Sequence, residues 1–405
     1  MNLAILTQYY PPEIGAPQAR LSALARGAAR RGHSVTVITA KPNYPTGRIH
    51  AGYPGIVARE ERDGVTVVRT LIYPTKRSEV VPRLASYFSF VASSAAVGTA
   101  QLAAPDYLLV ESPPLFLGLS GLWLSWIKST RLIFNVSDLF PEAAVRLGII
   151  RPGSLGHRCT SALEALCYRR SWLVTGQTSA IVADIRRRFP GVRTHHLANG
   201  VDTGLFLPVA GHGAGGSANG RCTILYAGLL GLAQGLDQLL DAAADMTGEA
   251  GVEFQLAGDG PCRAALVQRA QDARMGNVRF LDPRPHAEMP ALLAAADILV
   301  VPLHRSFTDA VPSKLYEALA SGRPVVVIAS GVAAQIVEES GAGIAVPHDD
   351  RAALAGALRR LAADPALRAR LGANGRAAAV SRFDRGRIVD GFTDLLERGL
   401  VGGAA

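Results

Sequence analysis

The chain has 405 residues, more than one ordinary hydrophobic core holds, and this length predicts two or three domains. Its residues are 49% hydrophobic and 19% charged, a balance that excludes a disordered chain. The formal net charge of +9 favours anionic partners, but no compact basic block or aromatic platform of a nucleic-acid-binding domain is present, so nucleic acid is not an expected partner.

The first half of the chain alternates between strand and helix patterns. Asn2–Thr7 is an apolar run that predicts a buried strand, Pro17–Arg31 predicts a helix with proline at its first position, and Ser34–Thr39 predicts the next strand. Four later runs predict further strands: Val65–Ile72, Asp106–Glu111, Arg131–Asn135 and Trp172–Thr175. This alternation predicts a parallel sheet with helices on both faces.

Two apolar segments of the first half, Leu84–Ala104 and Leu115–Ile127, are predicted to be helices of the first domain. The first is diluted by serine, threonine and glutamine, and the second is shorter than the ~20 residues that span a bilayer. Basic residues flank both segments: Lys76, Arg77 and Arg83 precede the first, and Lys128 follows the second. Peripheral contact with a membrane surface is therefore the alternative.

Residues 208–220, PVAGHGAGGSANG, are rich in glycine and predict an exposed linker. After it, five more runs predict strands: Cys222–Ala227, Val252–Ala257, Val278–Asp282, Ile298–Val301 and Pro324–Ala329. We therefore predict an α/β protein of two doubly wound, Rossmann-like domains, residues 1–207 and 221–383, that face each other across a cleft. Residues 384–405 are predicted to form an amphipathic helix that packs back on the first domain.

The start of the chain and its cysteines predict a cytoplasmic protein. No charged n-region or cleavage site precedes the first strand, so no signal peptide is expected. The four cysteines have neither CxxC pairing nor zinc-ligand spacing, and free thiols in a reducing compartment are expected: Cys159, Cys167, Cys222 and Cys262.

A glycine loop follows the first strand of each predicted domain, where open parallel sheets bind their ligands. In the first loop, Gly15 precedes a helix whose N-terminal N–H groups can bind an anion, and Arg20 lies one turn into that helix. The second loop, AGLLGLAQG, contains Gly228 and Gln234, and a Gly-Asp-Gly turn starts at Gly258 after the next strand. Each loop alone is also typical of a plain strand-to-helix turn, but together they predict a diphosphate site.

Residues 309–325, DAVPSKLYEALASGRPV, form the most specific segment of the chain. Ser313 is predicted to cap a helix, which puts Lys314 in its first turn. A cation there opposes the helix dipole unless an anion lies opposite, so we expect a phosphate ligand at this lysine. Glu317 lies on the same helix and either accepts hydrogen bonds from sugar or ribose hydroxyls or faces solvent.

Several segments together resemble a known enzyme family. Asp309 and Glu317 stand in the positions of a Glu-x7-Glu pair, and EALASGRPVVV is similar to a Glu-Ala-Met-Ala-x-Gly-x-Pro-Val signature. The segments YYPPEIGAPQARL, FNVSDLFPEAA, LANGVD and YAGLLGLAQGL match in order as well. Over essentially the whole chain, the sequence resembles the retaining GT-B glycosyltransferases of family 4. It is most similar to their WbuB-like branch, which builds bacterial surface polysaccharides on lipid carriers.

The resemblance implies roles for individual residues. Glu317 would bind the ribose hydroxyls of the nucleotide, Asp309 would hold hydroxyls of the donor sugar, and Gly15 would let the first-domain loop approach the diphosphate. Asp138 follows a predicted strand and would orient or deprotonate the acceptor hydroxyl, unless it is the N-cap of the following helix.

Two departures from the family pattern affect this site. The first acid is Asp309 instead of glutamate, which shortens its reach towards the sugar. The basic pair that usually follows the second-domain glycine is replaced by apolar residues and Gln234. We expect Lys314, with Arg305 or Arg20 assisting, to balance the phosphate charge.

The resemblance implies transfer of a sugar from a nucleotide diphosphate donor, with UDP preferred, to a saccharide acceptor with retention of configuration. Helix N-termini and a lysine would stabilise the leaving diphosphate, and because no Asp-x-Asp motif is present we expect neither a metal nor another cofactor. Donor and acceptor would bind in opposite domains, and closure would assemble the site. The acceptor is expected to be linked to a polyprenyl diphosphate at the inner face of the cytoplasmic membrane, in O-antigen, capsule or exopolysaccharide synthesis.

Two other functions are compatible with the sequence. A nucleotide-sugar epimerase of the same architecture needs acid and base groups on both faces of the sugar and no acceptor, so release of UDP only when an acceptor is present would exclude it. A non-catalytic nucleotide-sugar-binding protein would bind its ligand stoichiometrically and form no product.

Overall fold

The chain folds into two units, each built around its own parallel sheet. The computed structural model describes residues 1–77, 79–209, 220–231 and 234–401. The first unit comprises Met1–Asn199 together with the C-terminal segment that starts at Arg385, and the second comprises Gly200–Asp384. Most of the predicted linker at 208–220 lies outside the described residues.

The first unit ends at Asn199, whereas the sequence predicted that the first domain would end at residue 207. The boundary lies earlier because the residues after Asn199 bond to the C-terminal end of the second unit. The Val201 N–H donates to the Phe383 carbonyl at 2.9 Å. The Arg376 guanidinium donates to the Thr203 carbonyl at 3.0 Å. These bonds attach the start of the connecting segment to the second unit.

The first unit contains an eight-stranded sheet of order β3-β4-β2-β1-β5-β6-β7-β8 within the described residues. All neighbouring strands are parallel except the antiparallel pair of β3 and β4. The strands are β1 (Asn2–Thr7), β2 (Ser34–Ala40), β3 (Ala58–Arg62), β4 (Val65–Thr70), β5 (Tyr107–Ser112), β6 (Arg131–Val136), β7 (Leu173–Gly176) and β8 (Thr194–His196). The helices between them are α1 (Ala16–Arg30), α2 (Val80–Gln101), α3 (Leu117–Ile127), α4 (Glu142–Arg146), α5 (Leu155–Arg170) and α6 (Ser179–Arg188).

The second unit contains a six-stranded parallel sheet of order β11-β10-β9-β12-β13-β14, again within the described residues. Its strands are β9 (Cys222–Ala227), β10 (Val252–Ala257), β11 (Val278–Leu281), β12 (Ile298–Pro302), β13 (Val325–Ile328) and β14 (Gly343–Val346). Its helices are α7 (Asp237–Asp245), α8 (Arg263–Asp272), α9 (Met289–Ala295), α10 (Ser313–Ala320), α11 (Val332–Ser340), α12 (Arg351–Ala363) and α13 (Pro365–Arg382). The last helix, α14 (Arg385–Val401), belongs to the first unit.

The predicted pair of doubly wound α/β units is confirmed. In both sheets the strand order reverses beside one central strand, because β1 lies between β2 and β5, and β9 lies between β10 and β12. Helices that leave two such neighbours run to opposite faces of the sheet, so a crevice opens at the carboxyl ends of β1 and β9. This topology identifies the place in each unit where ligand-binding side chains are expected.

Helix α14 completes the core of the first unit. Its side chains Val389, Phe392 and Leu396 are buried among apolar residues of α1 and the sheet. The Tyr107 hydroxyl of β5 donates to the Leu396 carbonyl at 2.9 Å. The contact between α1 and α14 is close at Gly27, where an added Cβ would lie 2.3 Å from Val389 Cγ1.

We predict that Gly27→Ala destabilises the first unit, because the new methyl group forces α14 away from α1. Overpacking of this kind lowers the free energy of unfolding by about 1–3 kcal/mol. Gly391→Ala, on the exposed side of α14, is the matched control, since its Cβ meets nothing within 4 Å. That variant should gain about 0.5–1 kcal/mol from helix propensity. Urea unfolding measures both, and equal stability of the two variants would contradict the close contact.

Candidate active site

A half-buried lysine lies at the crevice of the second unit. The Lys314 ammonium donates to the Tyr226 hydroxyl at 2.9 Å and lies 4.5 Å from the centroid of the Tyr226 ring. Tyr226 is at the end of β9, and its hydroxyl donates in turn to the Leu229 carbonyl at 2.6 Å. Burial lowers the pKa of Lys314 from 10.5 to about 8, while the nearby charge of Glu317 opposes this shift. The crevice therefore holds a cation that is short of solvation.

Lys314 lies in the first turn of α10, as predicted, but Ser313 does not cap that helix. The helix begins at Ser313, and Pro312, with extended backbone angles, occupies the N-cap position and offers no side-chain hydrogen bond. The Pro312 carbonyl accepts from the Leu315 N–H at 3.0 Å. An N-terminus without a side-chain cap keeps N–H groups available to an external acceptor. The prediction that Ser313 caps this helix was wrong, because Pro312 occupies the N-cap position and Ser313 is the first helical residue.

The two acids of the predicted pair are half-buried in the same part of the second unit. Glu317 lies one turn after Lys314 on α10, and Asp309 lies in the loop between β12 and α10. Arg305 precedes them in that loop, but it is exposed and paired with Asp349 at 2.6 Å. Its charge is therefore already matched at the surface, and assistance to Lys314 requires that pair to open.

Gly228 and Gly258 lie where the loops after β9 and β10 pack on each other. A Cβ at Gly258 would approach the Gly228 carbonyl oxygen to 1.9 Å, and a Cβ at Gly228 would lie 2.7 Å from Lys314 Nζ. The Gly228 N–H donates to Ala257 O at 2.9 Å, and the Gly258 N–H donates to Leu281 O at 3.2 Å. The N–H groups of both glycines therefore bond within the unit, and close packing is the reason for glycine at both positions. Their contact with a donor stays a prediction.

Gln234 lies between the glycine loop after β9 and the start of α7. Its side-chain Oε1 is buried and finds no hydrogen-bond partner among the described residues. A buried amide without a partner costs free energy unless a ligand completes its hydrogen bonds. Gln234 therefore remains a candidate for contact with the donor.

A buried ion pair occupies the crevice of the first unit. The Arg20 guanidinium of α1 donates to Glu111 Oε1 of β5 at 2.6 Å, with side-chain exposures of 3% and 2%. Arg20 also donates to Ser137 Oγ at 3.1 Å and to Asn199 Oδ1. The predicted phosphate contact of Arg20 receives no support from this arrangement, because its charge is already matched by a buried carboxylate.

The network continues across the carboxyl ends of the sheet. Asn135 on β6 donates to Glu111 and accepts from the Thr175 hydroxyl of β7 at 2.6 Å. The Gln177 amide contacts both Ser137 and Asn199. Side chains at or just after the carboxyl ends of β5, β6, β7 and β8 are thus connected in one network around the Glu111 carboxylate.

Asp138 is exposed beside this network, in the turn after β6. It is not the N-cap of α4, because that helix starts at Glu142 with Pro141 as its N-cap. The capping alternative for Asp138 was therefore wrong, and its role towards an acceptor stays a prediction.

The loop between β1 and α1 is held by a buried carboxylate. Glu13 Oε1 accepts from the N–H groups of Asn43 and Tyr44 at 2.9 and 2.8 Å, and burial raises the pKa of Glu13. Gly15 is the N-cap of α1 in extended backbone, without a side-chain cap. The first turn of α1 thus has no side-chain cap, and the anion contact at Gly15 stays a prediction.

Two site residues, Tyr226 and Glu111, were missed by sequence reasoning. Both lie in strands that were predicted, at or next to the last position. A polar side chain at the end of an otherwise apolar strand is the signal that identifies them, since that end faces the crevice.

No group of three or more His, Cys, Asp or Glu side chains among the described residues is arranged to hold a metal ion.

We predict that Glu111→Gln strongly destabilises the first unit. The variant leaves the Arg20 charge buried without its counter-ion, which lowers the free energy of unfolding by about 3–5 kcal/mol. Asp245→Asn serves as the control, because Asp245 forms an exposed pair with Arg351 that water screens. Urea unfolding should show a large loss for Glu111→Gln and little change for the control. Similar small losses in both variants would contradict the buried pair.

Comparison with known proteins accounts for both units. The family model described as "Glycosyl transferase 4-like domain" matches residues 15–200, and the one described as "Glycosyl transferases group 1" matches residues 212–378. The chain is 28% identical over 343 residues to the putative colanic acid biosynthesis glycosyl transferase WcaI of Escherichia coli (strain K12). That alignment covers 81% of this chain and 83% of WcaI.

Solved structures share the fold over the whole chain. Sucrose-phosphate synthase from Thermosynechococcus elongatus superposes with a TM-score of 0.76 at 20% identity, over 99% of each chain. HepE from Anabaena, in complex with UDP, superposes with a TM-score of 0.73 at 19% identity, over 98% of this chain and 100% of HepE. At these identities the likeness shows the fold alone. Together with the two family matches, it makes the chain a group 1 glycosyltransferase of GT-B fold with an N-terminal glycosyl transferase 4-like domain.

Proposed function

We propose that this enzyme transfers a sugar from a UDP-sugar to a lipid-linked saccharide acceptor, with retention of anomeric configuration, in bacterial surface-polysaccharide synthesis. The observation that carries the proposal is the Lys314 ammonium, held by Tyr226 in the uncapped first turn of α10. The reaction would take place at the inner face of the cytoplasmic membrane and would need neither a metal nor another cofactor.

Lys314 is the group that would bind the diphosphate. Its position is unfavourable without a ligand, because both the helix dipole and burial disfavour its charge. A diphosphate reverses both effects, since it supplies a negative charge to the ammonium and acceptors to the helix N–H groups. As the glycosidic bond breaks, charge builds up on the leaving UDP, and this preorganised cation would stabilise it.

The half-buried acids would hold the rest of the donor. Glu317, one turn along α10, would accept hydrogen bonds from the ribose hydroxyls, and Asp309 would accept from hydroxyls of the sugar. Gln234, with an unpartnered buried oxygen, can accept a further donor hydrogen. Asp138, exposed at the crevice of the first unit, would orient or deprotonate the acceptor hydroxyl.

The relatives support the substrate classes. HepE was solved with UDP, with UDP and glucose, and with UDP-glucose, and WcaI is named for colanic acid biosynthesis. The epimerase and the non-catalytic binding protein are less well supported, because both matched families are described as glycosyl transferases. Release of UDP that depends on an acceptor would exclude both alternatives.

We predict that UDP raises the melting temperature of the protein more than GDP, ADP, dTDP or CMP does. A ligand at 100-fold its dissociation constant adds roughly 2.7 kcal/mol to the free energy of unfolding, which a thermal-shift assay detects easily. UDP affinity should fall by about tenfold per pH unit above pH 8, as Lys314 loses its proton. No shift with any of the five nucleotides would refute the proposed donor site.

We predict that Lys314→Met abolishes the UDP shift and makes the ligand-free protein more stable at neutral pH. Burial holds the pKa of Lys314 below that of the unfolded chain, so the unfolded state binds more protons between pH 8 and 10.5. The free energy of unfolding therefore rises with pH through that window, and the cost of burying the charge is present in full below it. The exposed Lys76→Met is the control and should keep both UDP binding and stability. Unchanged UDP affinity in Lys314→Met would contradict the proposed role.

We predict that the product keeps the anomeric configuration of the donor. Incubation with UDP-sugars and a polyprenyl-diphosphate-linked acceptor, followed by NMR measurement of the anomeric coupling constant in the new linkage, tests this directly. An inverted product would refute retention, while it would leave glycosyl transfer itself intact.

A further inference from the structure

Helices α2 and α3 lie side by side on one face of the first unit. Ser94 of α2 hydrogen-bonds to Ser120 of α3 at 3.0 Å, and the side chain of Leu124 would contact a Cβ added at Gly98. Small residues therefore bring the two helices close together. The Thr70 hydroxyl at the end of β4 also bonds to Ser93 at 2.9 Å, which attaches α2 to the sheet along its inner face.

The outer faces of both helices are apolar and exposed. On α2, an exposed stripe at helical spacing contains Val81, Ala85, Phe88, Ala92 and Ala96. On α3, the exposed large side chains follow the same spacing: Leu119, Trp123, Trp126 and Ile127. The Trp123 indole donates to Thr99 of α2 at 3.0 Å, so the two stripes meet and form one surface, which we call the α2–α3 face.

Tryptophans are concentrated on this face. Trp123 and Trp126 are 45% and 70% exposed, and their ring centroids are 5.5 Å apart. The third tryptophan, Trp172, is half-buried, and its ring packs against Tyr107. Exposed pairs of large aromatic rings are unusual on a surface that faces only water, whereas tryptophan favours the boundary between lipid and water.

Cations lie at both ends of the α2–α3 face. Arg83 is exposed near the start of α2, after Lys76, Arg77 and the single acid Glu79. Lys128, at the end of α3, donates to the Thr99 carbonyl at 2.7 Å. Neither helix contains aspartate or glutamate. The surface thus combines apolar side chains with positive charge, which complements an anionic lipid surface.

We propose that the α2–α3 face lies flat on an anionic phospholipid bilayer, with Trp123 and Trp126 inserted among the headgroups. Helix α2 has 22 residues, and at 1.5 Å per residue it would contact the surface over about 33 Å. The inference deepens the proposed function, since it assigns the surface through which an enzyme with a lipid-linked acceptor meets the membrane.

Alternative uses of α2 fit the structure less well. Among the described residues, α2 is the one helix that is long and apolar enough to cross a membrane by length and composition. Crossing would expose to lipid the hydroxyls that now bond within the unit, such as Ser93 and Ser94, together with Arg83. A second copy of the chain on this face would bring two sets of cations together.

Binding to vesicles tests the proposal. Purified full-length protein is mixed with vesicles of POPC containing POPG, or of POPC alone, and binding is measured by co-sedimentation. Tryptophan emission is recorded in parallel, because Trp123 and Trp126 report insertion and the half-buried Trp172 does not. We expect binding to POPG vesicles with a blue shift, and weaker binding to POPC or at high salt.

Matched variants identify the surface. Trp123→Ser with Trp126→Ser should weaken binding about tenfold or more, through loss of buried aromatic area at the interface. Arg83→Glu and Lys128→Glu should each weaken binding at least about fivefold on POPG vesicles, with less effect on POPC. Leu205→Ser, which removes an exposed apolar side chain of the second unit, should bind like the wild type.

Three outcomes would overturn the proposal. The first is equal vesicle binding by the wild type and the double tryptophan variant. The second is resistance of bound protein to alkaline carbonate extraction, which would indicate a spanning α2. The third is a dimer in light scattering that the double tryptophan variant dissociates, which would assign the face to a second copy. A UDP thermal shift that survives in the tryptophan variant separates failure at this face from failure of the donor site.

Discussion

Desolvation of the Lys314 ammonium is the constraint on which the site of the second unit depends. The Tyr226 hydroxyl and ring partly replace the lost water, but burial still holds the pKa of Lys314 near 8. Gly228, beside the ammonium, and Gly258 pack the surrounding loops too closely for any larger residue. The crevice is thus preorganised around a charge that a bound anion would stabilise.

The two units differ in whether the cation at the crevice is paired with a buried carboxylate. At the crevice beside β1, the Arg20 charge is matched by Glu111, and the terminal nitrogens of its guanidinium also donate to Ser137 and Asn199. Such a network fixes the ends of several strands and offers exposed neighbours, such as Asp138, a rigid support. At the crevice beside β9, the cation is left available. This difference agrees with a division in which one unit orients an acceptor and the other binds a diphosphate.

The strands with strong apolar runs could be predicted from the sequence, and β9 and β10 coincide with their predicted ranges. Three strands could not be predicted from the sequence. The first, β3 (AREER), is charged and lies antiparallel at the edge of its sheet; β8 (THH) is three residues long, and β14 (GIAV) is only partly buried. The placement of Lys314 and Glu317 on one helix was predicted from the local sequence and is confirmed. The partners of Arg20 and Lys314 were not predicted. Glu111 lies 91 residues from Arg20 in the chain, and Tyr226 lies 88 residues from Lys314. Local sequence shows which side chain needs a partner, but only the fold shows which one it receives.

The position of α14 has a consequence for the order in which the protein acquires its structure. This helix contains the last described residues of the chain, yet Val389, Phe392 and Leu396 complete the core around α1. On the ribosome, the first unit therefore exposes an apolar groove until the second unit has been synthesised and α14 has emerged. Loss of a few C-terminal turns would uncover the N-terminal core while it left every candidate site residue in place. A truncated chain would then be cleared by proteases and chaperones instead of accumulating as a half-active enzyme.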